Sequence, residues 1–132
     1  MKLVENILRF ERHYSVAVQL KDKDLRDYLI YNTLAMDCFQ AVNALIEIGE
    51  FLVTKNKIGF PSIYREIFEL LFKVGIITEE EFESAKRLIY LRNLIAHEYY
   101  RISESELLEM VSLLEKIKGF VERIKKHEVE NE

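Results

Sequence analysis

Apolar residues recur at intervals of three and four through almost the whole chain, and no stretch alternates residue by residue, so the pattern predicts helices and no strands. Over Lys2 to Leu20, Leu3, Ile7, Phe10 and Tyr14 mark one face while Glu5, Arg9 and Arg12 fall off it, which predicts a first helix. Lys21-Asp22-Lys23-Asp24 reads as a tight polar turn, with Asp22 or Asp24 placed to cap the next helix. That long second helix is expected from about Asp24 to about Thr54, carrying the apolar series Leu34, Cys38, Ala41, Leu45, Ile48 and Leu52. The short turn makes these two helices antiparallel neighbours.

The second helix carries another series. Asn32, Thr33, Gln40, Asn43, Glu47, Glu50 and Thr54 fall within roughly 100° of arc, interrupted by Met36. Such a stripe of mostly uncharged hydrogen-bonding groups fits a partly buried polar network or cleft wall, and equally an ordinary wet surface. Beyond the loop Lys55-Asn56-Lys57-Ile58-Gly59-Phe60, Pro61 suits the first turn of a third helix running through about Val74 and closed by Gly75. Thr78-Glu79-Glu80-Glu81 and Ser103-Glu104-Ser105-Glu106 both match the capping box and open a fourth and a fifth helix. Leu107, Val111, Leu114, Ile117, Val121 and Ile124 form the apolar face of the fifth, and Lys125-Lys126-His127 with the acidic tail is expected to fray. The whole is an all-α, up-and-down bundle of four to five helices in one domain over residues 1–132.

Composition narrows the function classes. A hydrophobic fraction of 49% with 32% charged residues is that of a soluble globular protein, and no apolar run approaches a membrane span. The amino-terminal residues lack a signal peptide's apolar block, so a cytoplasmic location is expected. Cys38 is the single cysteine and the three histidines are far apart, which leaves no internal disulfide and no zinc-ligand spacing, so no metal is expected. The net charge of −4 argues against coating nucleic acid with a broad basic surface. Any contact with nucleic acid must be confined to one site.

Several chemistries are missing. There is no P-loop and no G-x-G-x-x-G. The residues three before His13, His97 and His127 are Phe10, Leu94 and Ile124, so the Glu-x-x-His pairs of a carboxylate-bridged metal bundle are absent. Cys38 sits in an apolar helical pattern and reads as core rather than nucleophile.

The chemistry that remains is concentrated between Leu88 and Tyr100. At about 100° per residue, Arg92 and His97 point roughly 140° apart and flank one face, with Ala96 between them and Asn93 one turn before His97. Lys86 and Tyr90 reach the same side, whereas Leu88, Leu91 and Ile95 form the core-facing stripe. Cleavage of RNA without a metal needs a proton donor or acceptor and a group that holds the phosphate's growing charge. An imidazole titrating near neutrality suits the first task and a guanidinium the second. Asn93 can orient the imidazole or donate to phosphate, and Tyr90, Tyr99 or Tyr100 can stack on a base. One histidine is a thin inventory for both acid and base, and a two-fold dimer placing two such clusters in one cleft doubles it. The same residues also fit a structural role, with Arg92 paired to a carboxylate such as Glu50 and His97 favoured by the helix dipole.

At this motif the chain resembles the HEPN superfamily of helical ribonucleases, and specifically the HepT-type toxins of toxin–antitoxin pairs. Arg92-Asn93-Leu94-Ile95-Ala96-His97-Glu98-Tyr99 meets the pattern R-x-x-x-x-H-x-Y with asparagine after the arginine, and Ile48-Gly49-Glu50 in the second helix is a looser match. The resemblance implies a metal-independent endoribonuclease without a cofactor, acting as a homodimer on single-stranded RNA, with Arg92 and His97 as the catalytic pair and Asn93 assisting. Lys86, Tyr90 and Tyr100 would be RNA contacts. It implies an antitoxin partner of the minimal nucleotidyltransferase (MNT) type, which can silence the toxin by AMPylation of the motif tyrosine, here Tyr99. A bulky adenylate two residues from His97 would compete with RNA phosphate for Arg92. The alternative within the family is a non-catalytic dimer that binds a nucleotide or a nucleotidyltransferase. Whether Asp37, Asn43 or Glu50 reaches the cleft stays open at this level.

Overall fold

The computed structural model describes residues 2–98 and 102–130 of the chain. They form α1 (Lys2–Leu20), α2 (Tyr28–Asn56), α3 (Tyr64–Lys73), α4 (Glu79–Glu98) and α5 (Glu104–Ile124), with a π-helical turn over Lys125–Glu130 after them. Among the described residues there is no strand. The all-α bundle expected from the periodicity is therefore the observed architecture.

α1 and α2 are antiparallel, as the short turn requires. Arg9 reaches Glu47 and Gln40, and one turn further along α1 His13 meets Asp37. The start of α2 lies later than its pattern predicts, at Tyr28. Asp24 does not cap it, because its carboxylate accepts from the backbone and guanidinium N–H groups of Arg26 and stays within the turn. The cap is Asp27, whose Oδ1 accepts from the amides of Leu29 and Ile30 at 2.9 and 3.4 Å.

α3 is shorter than expected at its front end. Glu66 takes the Ser62 amide at 2.7 Å and Ile63 is the extended N-cap residue, so Pro61 belongs to the preceding loop rather than to the first helical turn. Its other end agrees with the expectation. Gly75 adopts φ +80, with its N–H on Phe72 O at 3.0 Å and that of Ile76 on Leu71 O at 2.9 Å, a Schellman closure. Both capping boxes form, Thr78 with Glu81 and Ser103 with Glu106, each bond 2.9–3.1 Å.

Over Lys125–Glu130 the expected fraying is not found, and the last two residues of the tail lie outside the described residues. Lys125 bonds the Glu11 carboxylate of α1 at 3.1 Å, Glu128 pairs with Lys55 at the end of α2, and Val129 packs on the core. These anchors come from residues far away in the chain and hold the π-helical turn in place.

The core is built around α2, which packs on each of the other four helices, and includes Phe10, Leu34, Leu45, Phe68, Leu88 and Phe120, each fully buried. Cys38 is one of its members. Burial, with the charge of Asp37 adding to it, pushes that thiol up to about 12, so it stays protonated and inert. Gly49 of α2 faces α3 at very close range. A Cβ there would sit 2.8 Å from Ile67 Cγ2 and 3.2 Å from Phe68 Cζ, so a side chain there would force Ile67 or the helix that carries it to shift.

Candidate active site

Leu88, Leu91 and Ile95 bury one edge of α4, and burying them turns the opposite edge outward. Arg92 and Asn93 are half-buried, and Ala96 and His97 are exposed or nearly so at the rim. Between this edge and the start of α3 lies an open cleft of about 760 Å³. From α4 it is lined by Lys86, Ile89, Tyr90, Arg92, Asn93 and His97. Ser62, Ile63, Tyr64 and Arg65 line it from the other wall.

The environment of Arg92 is unusual for a half-buried guanidinium. Its Nε donates to Asn43 Oδ1 at 2.8 Å and its Nη1 to Asn93 Oδ1 at 2.9 Å. The Phe39 and Tyr64 rings lie against it, with centroids 4.9 and 5.4 Å from Cζ. Two amides and two aromatic rings orient the side chain, yet none of them carries the negative charge that would neutralise it. Among the described residues Arg92 has no carboxylate partner, and Nη2 has no hydrogen bond. Glu50 does not pair with it but lines a smaller cavity of about 280 Å³ beside it, together with Arg9, Glu47, Asn43 and Tyr64.

The cleft as a whole repeats this imbalance. Its lining contains Arg65, Lys86 and Arg92 and no carboxylate, in a chain whose net charge is −4. Lys86 is partly spent on Glu83 at 3.0 Å and lies over the Phe82 ring. His97 has no hydrogen-bond partner among the described residues, so both ring nitrogens are open to whatever enters. Tyr90 is 53% exposed, with the Arg87 guanidinium 5.2 Å from its ring centroid and the ring itself at the cleft wall. Such an arrangement has the charge and the aromatic surface that a polyanion such as a nucleic-acid strand would require.

Of the residues singled out from sequence, Arg92, Asn93, His97, Lys86 and Tyr90 come together in one cleft. Asn93 orients the guanidinium; it makes no bond to the His97 imidazole among the described residues. Tyr99 and Tyr100 lie outside the described residues. The polar stripe of α2 proves divided. Asn43 holds Arg92, Gln40 and Glu47 hold Arg9, and Thr33, Glu50 and Thr54 are exposed. Asp37 is committed to His13 at 2.7 Å, away from the cleft. Phe39, Tyr64 and Arg65 escaped the sequence reading, because only the packing of α2 and α3 against α4 brings them to the site.

Among the described residues no three His, Cys, Asp or Glu side chains converge as a metal-binding group, and no helix is long and apolar enough to cross a membrane.

Comparison with known proteins bears on the fold and the family. The curated mRNA nuclease HepT of Shewanella oneidensis is 24% identical over 120 residues, covering 90% of this chain and 87% of that one. A toxin–antitoxin structure with AMP-PNP matches with a TM-score of 0.86 at 21% identity, over 95% of this chain and 98% of the other. The tri-AMPylated Shewanella oneidensis HEPN toxin, solved in complex with MNT antitoxin, matches with a TM-score of 0.85 at 22% identity, over 95% and 97% of the two chains. These structural likenesses establish that the chain shares the fold of those two structures. The family model described as Ribonuclease HepT-like matches residues 4–124, nearly the full length, and the chain belongs to that family.

Proposed function

We propose that this protein is the toxin endoribonuclease of a HepT/MNT pair and cuts single-stranded RNA at the Arg92–His97 cleft without a metal. The observation that carries the reading is the oriented but uncompensated guanidinium of Arg92 in a cleft lined by cations and no carboxylate. A phosphodiester supplies the missing negative charge. Arg92 offers its unengaged Nη2 to the phosphate oxygens and stabilises them as charge builds. Asn93, with its oxygen committed to Arg92, keeps its NH₂ group for the same phosphate.

In the reaction the ribose 2′-oxygen bonds to phosphorus as the bond to the 5′-oxygen breaks. One group removes the 2′-OH proton and another protonates the leaving oxygen, so no water and no redox partner are consumed. His97 performs one of these transfers, and His97 of a second copy performs the other in a two-fold dimer. Lys86, Tyr90 and Tyr100 contact the strand. The related assemblies with an MNT antitoxin support a partner of that type here, and the motif tyrosine that it would AMPylate is Tyr99.

The test is purified protein with a single-stranded RNA in EDTA. Cleavage is expected, and it disappears in His97→Ala, in Arg92→Ala and on RNA made 2′-deoxy at the cut. Wild type that leaves RNA as intact as both variants do overturns the reading. Sedimentation at micromolar concentration tests the dimer: a fully active monomer removes it.

A further inference from the structure

The cleft is longer than one phosphate needs. Its α4 wall runs from Lys86 to His97, about 16 Å of helix axis. Phosphates of a strand recur every ~3.4 Å of axis when stacked and further apart when splayed. A strand lying in such a trough presents several charges to its walls. Arg92 accounts for one of them.

Across the trough stands the first turn of α3. Tyr64 leans on Arg92, and Arg65, one residue on and turned about 100° around the helix, also lines the cleft. Arg65 is exposed and has no ion pair among the described residues. The other lining cation, Lys86, already has Glu83 at 3.0 Å and the Phe82 ring beneath it. Arg65 is therefore the lining cation, besides Arg92, whose full charge remains available.

We infer that Arg65 binds a phosphate neighbouring the one held by Arg92, so that the cleft takes a strand with at least two consecutive phosphodiesters rather than a single nucleotide. This rests on the reading of the cleft as an RNA site. α4 then holds the bond that breaks, and α3 holds the strand beside it. Arg65 sets substrate length and register, while the chemistry stays with Arg92 and His97.

The experiment measures binding of a fluorescent short single-stranded RNA in EDTA by anisotropy, in a His97→Ala background that keeps the RNA intact. Arg65→Ala is expected to weaken binding about tenfold at moderate salt. It should also lower the slope of log affinity against log salt by about 0.7, and Arg65→Lys should restore the slope. In a series of RNAs carrying one neutral methylphosphonate link at successive positions, the loss caused by Arg65→Ala should vanish at one link other than the scissile one. Unchanged binding by Arg65→Ala overturns the inference, as does a loss that persists whichever link is neutral. If the protein with Arg65 and His97 both intact cuts RNA while Arg65→Ala cuts every RNA length equally well, this inference falls and the RNA reading stands. If that protein neither binds nor cuts RNA, both fall together.

Discussion

Helix α4 meets arginines on two flanks and treats them differently. Toward α5, the Arg87 guanidinium makes two bonds to Glu109 at 2.8 and 3.0 Å, and Arg123 makes two to Glu81 at 2.8 and 2.7 Å. Toward α2 and α3, Arg92 is held by amides and rings alone. The first flank spends its charge inside the molecule and gains a fixed helix pair. The second also orients a guanidinium but leaves its charge without a carboxylate partner among the described residues. Geometry alone does not separate the two uses; the charge of the acceptor does.

The largest break in this contrast comes from removing the groups on the open flank. Arg92→Ala and His97→Ala should each lower RNA cleavage by about 10²–10⁴-fold, with thermal stability shifted by less than about 1 kcal/mol. A loss of cleavage that tracks a loss of folded protein would show instead that Arg92 belongs with its structural counterparts.

Converting one flank into the other is a sharper test. Asn43→Asp keeps the shape of the side chain and gives Arg92 the carboxylate it lacks. RNA affinity should drop about 10- to 100-fold with stability kept or raised, as read by anisotropy beside a melting curve. Unaltered affinity would mean that the charge on Arg92 is not what the ligand feels.

On the closed flank the expected effects are on stability. Glu81 is 8% exposed, caps α4 through Thr78 and holds Arg123, so Glu81→Ala should cost about 2–3 kcal/mol in denaturant unfolding. Arg123 is half-exposed, and Arg123→Ala should cost about 1–2 kcal/mol. Cleavage per folded molecule should be untouched in both.

The smallest effect is a pH dependence. Burial pushes the Glu81 carboxyl up, but the hydrogen bonds from Arg123 and Thr78 and the Arg123 charge outweigh it and hold the group below its ordinary 4.5. A depressed carboxyl binds its proton more readily in the unfolded chain. Its contribution is therefore fully present above about 4.5 and fades as pH falls through the lower folded value. Glu81→Gln should flatten this acid-side loss in urea titrations between about pH 5 and 3.

How far the molecule can be read from its sequence depends on the range of the interactions involved. The two capping boxes and the Gly75 closure are made within four or five residues, and each is legible. The same holds for the buried edge of α4, which one helical period reveals. Sequence misleads where near neighbours compete or distant ones decide. Asp22, Asp24 and Asp27 crowd one turn, and which of them caps α2 depends on Arg26 drawing Asp24 aside. The π-helical turn is secured by Glu11 and Lys55, far back along the chain. At the site, Arg92, Asn93 and His97 share one helix and can be placed together, whereas Asn43 is one polar residue among seven in its stripe. Nothing near Arg65 in the sequence marks it as a cleft residue, because its position depends on α3 crossing beside α4.

Helix α3 is also packed on α2, at Gly49, which does not line the cleft. The missing Cβ there lets α3 settle close on α2, and the same helix α3 carries the Tyr64 ring that lies against Arg92. Adding one methyl group, as in Gly49→Ala, would act like a shim driven between two planks. Any shift of α3 that relieved the contact would carry the Tyr64 ring with it relative to the guanidinium, and on the proposed reading RNA cleavage would slacken through a residue that does not line the cleft.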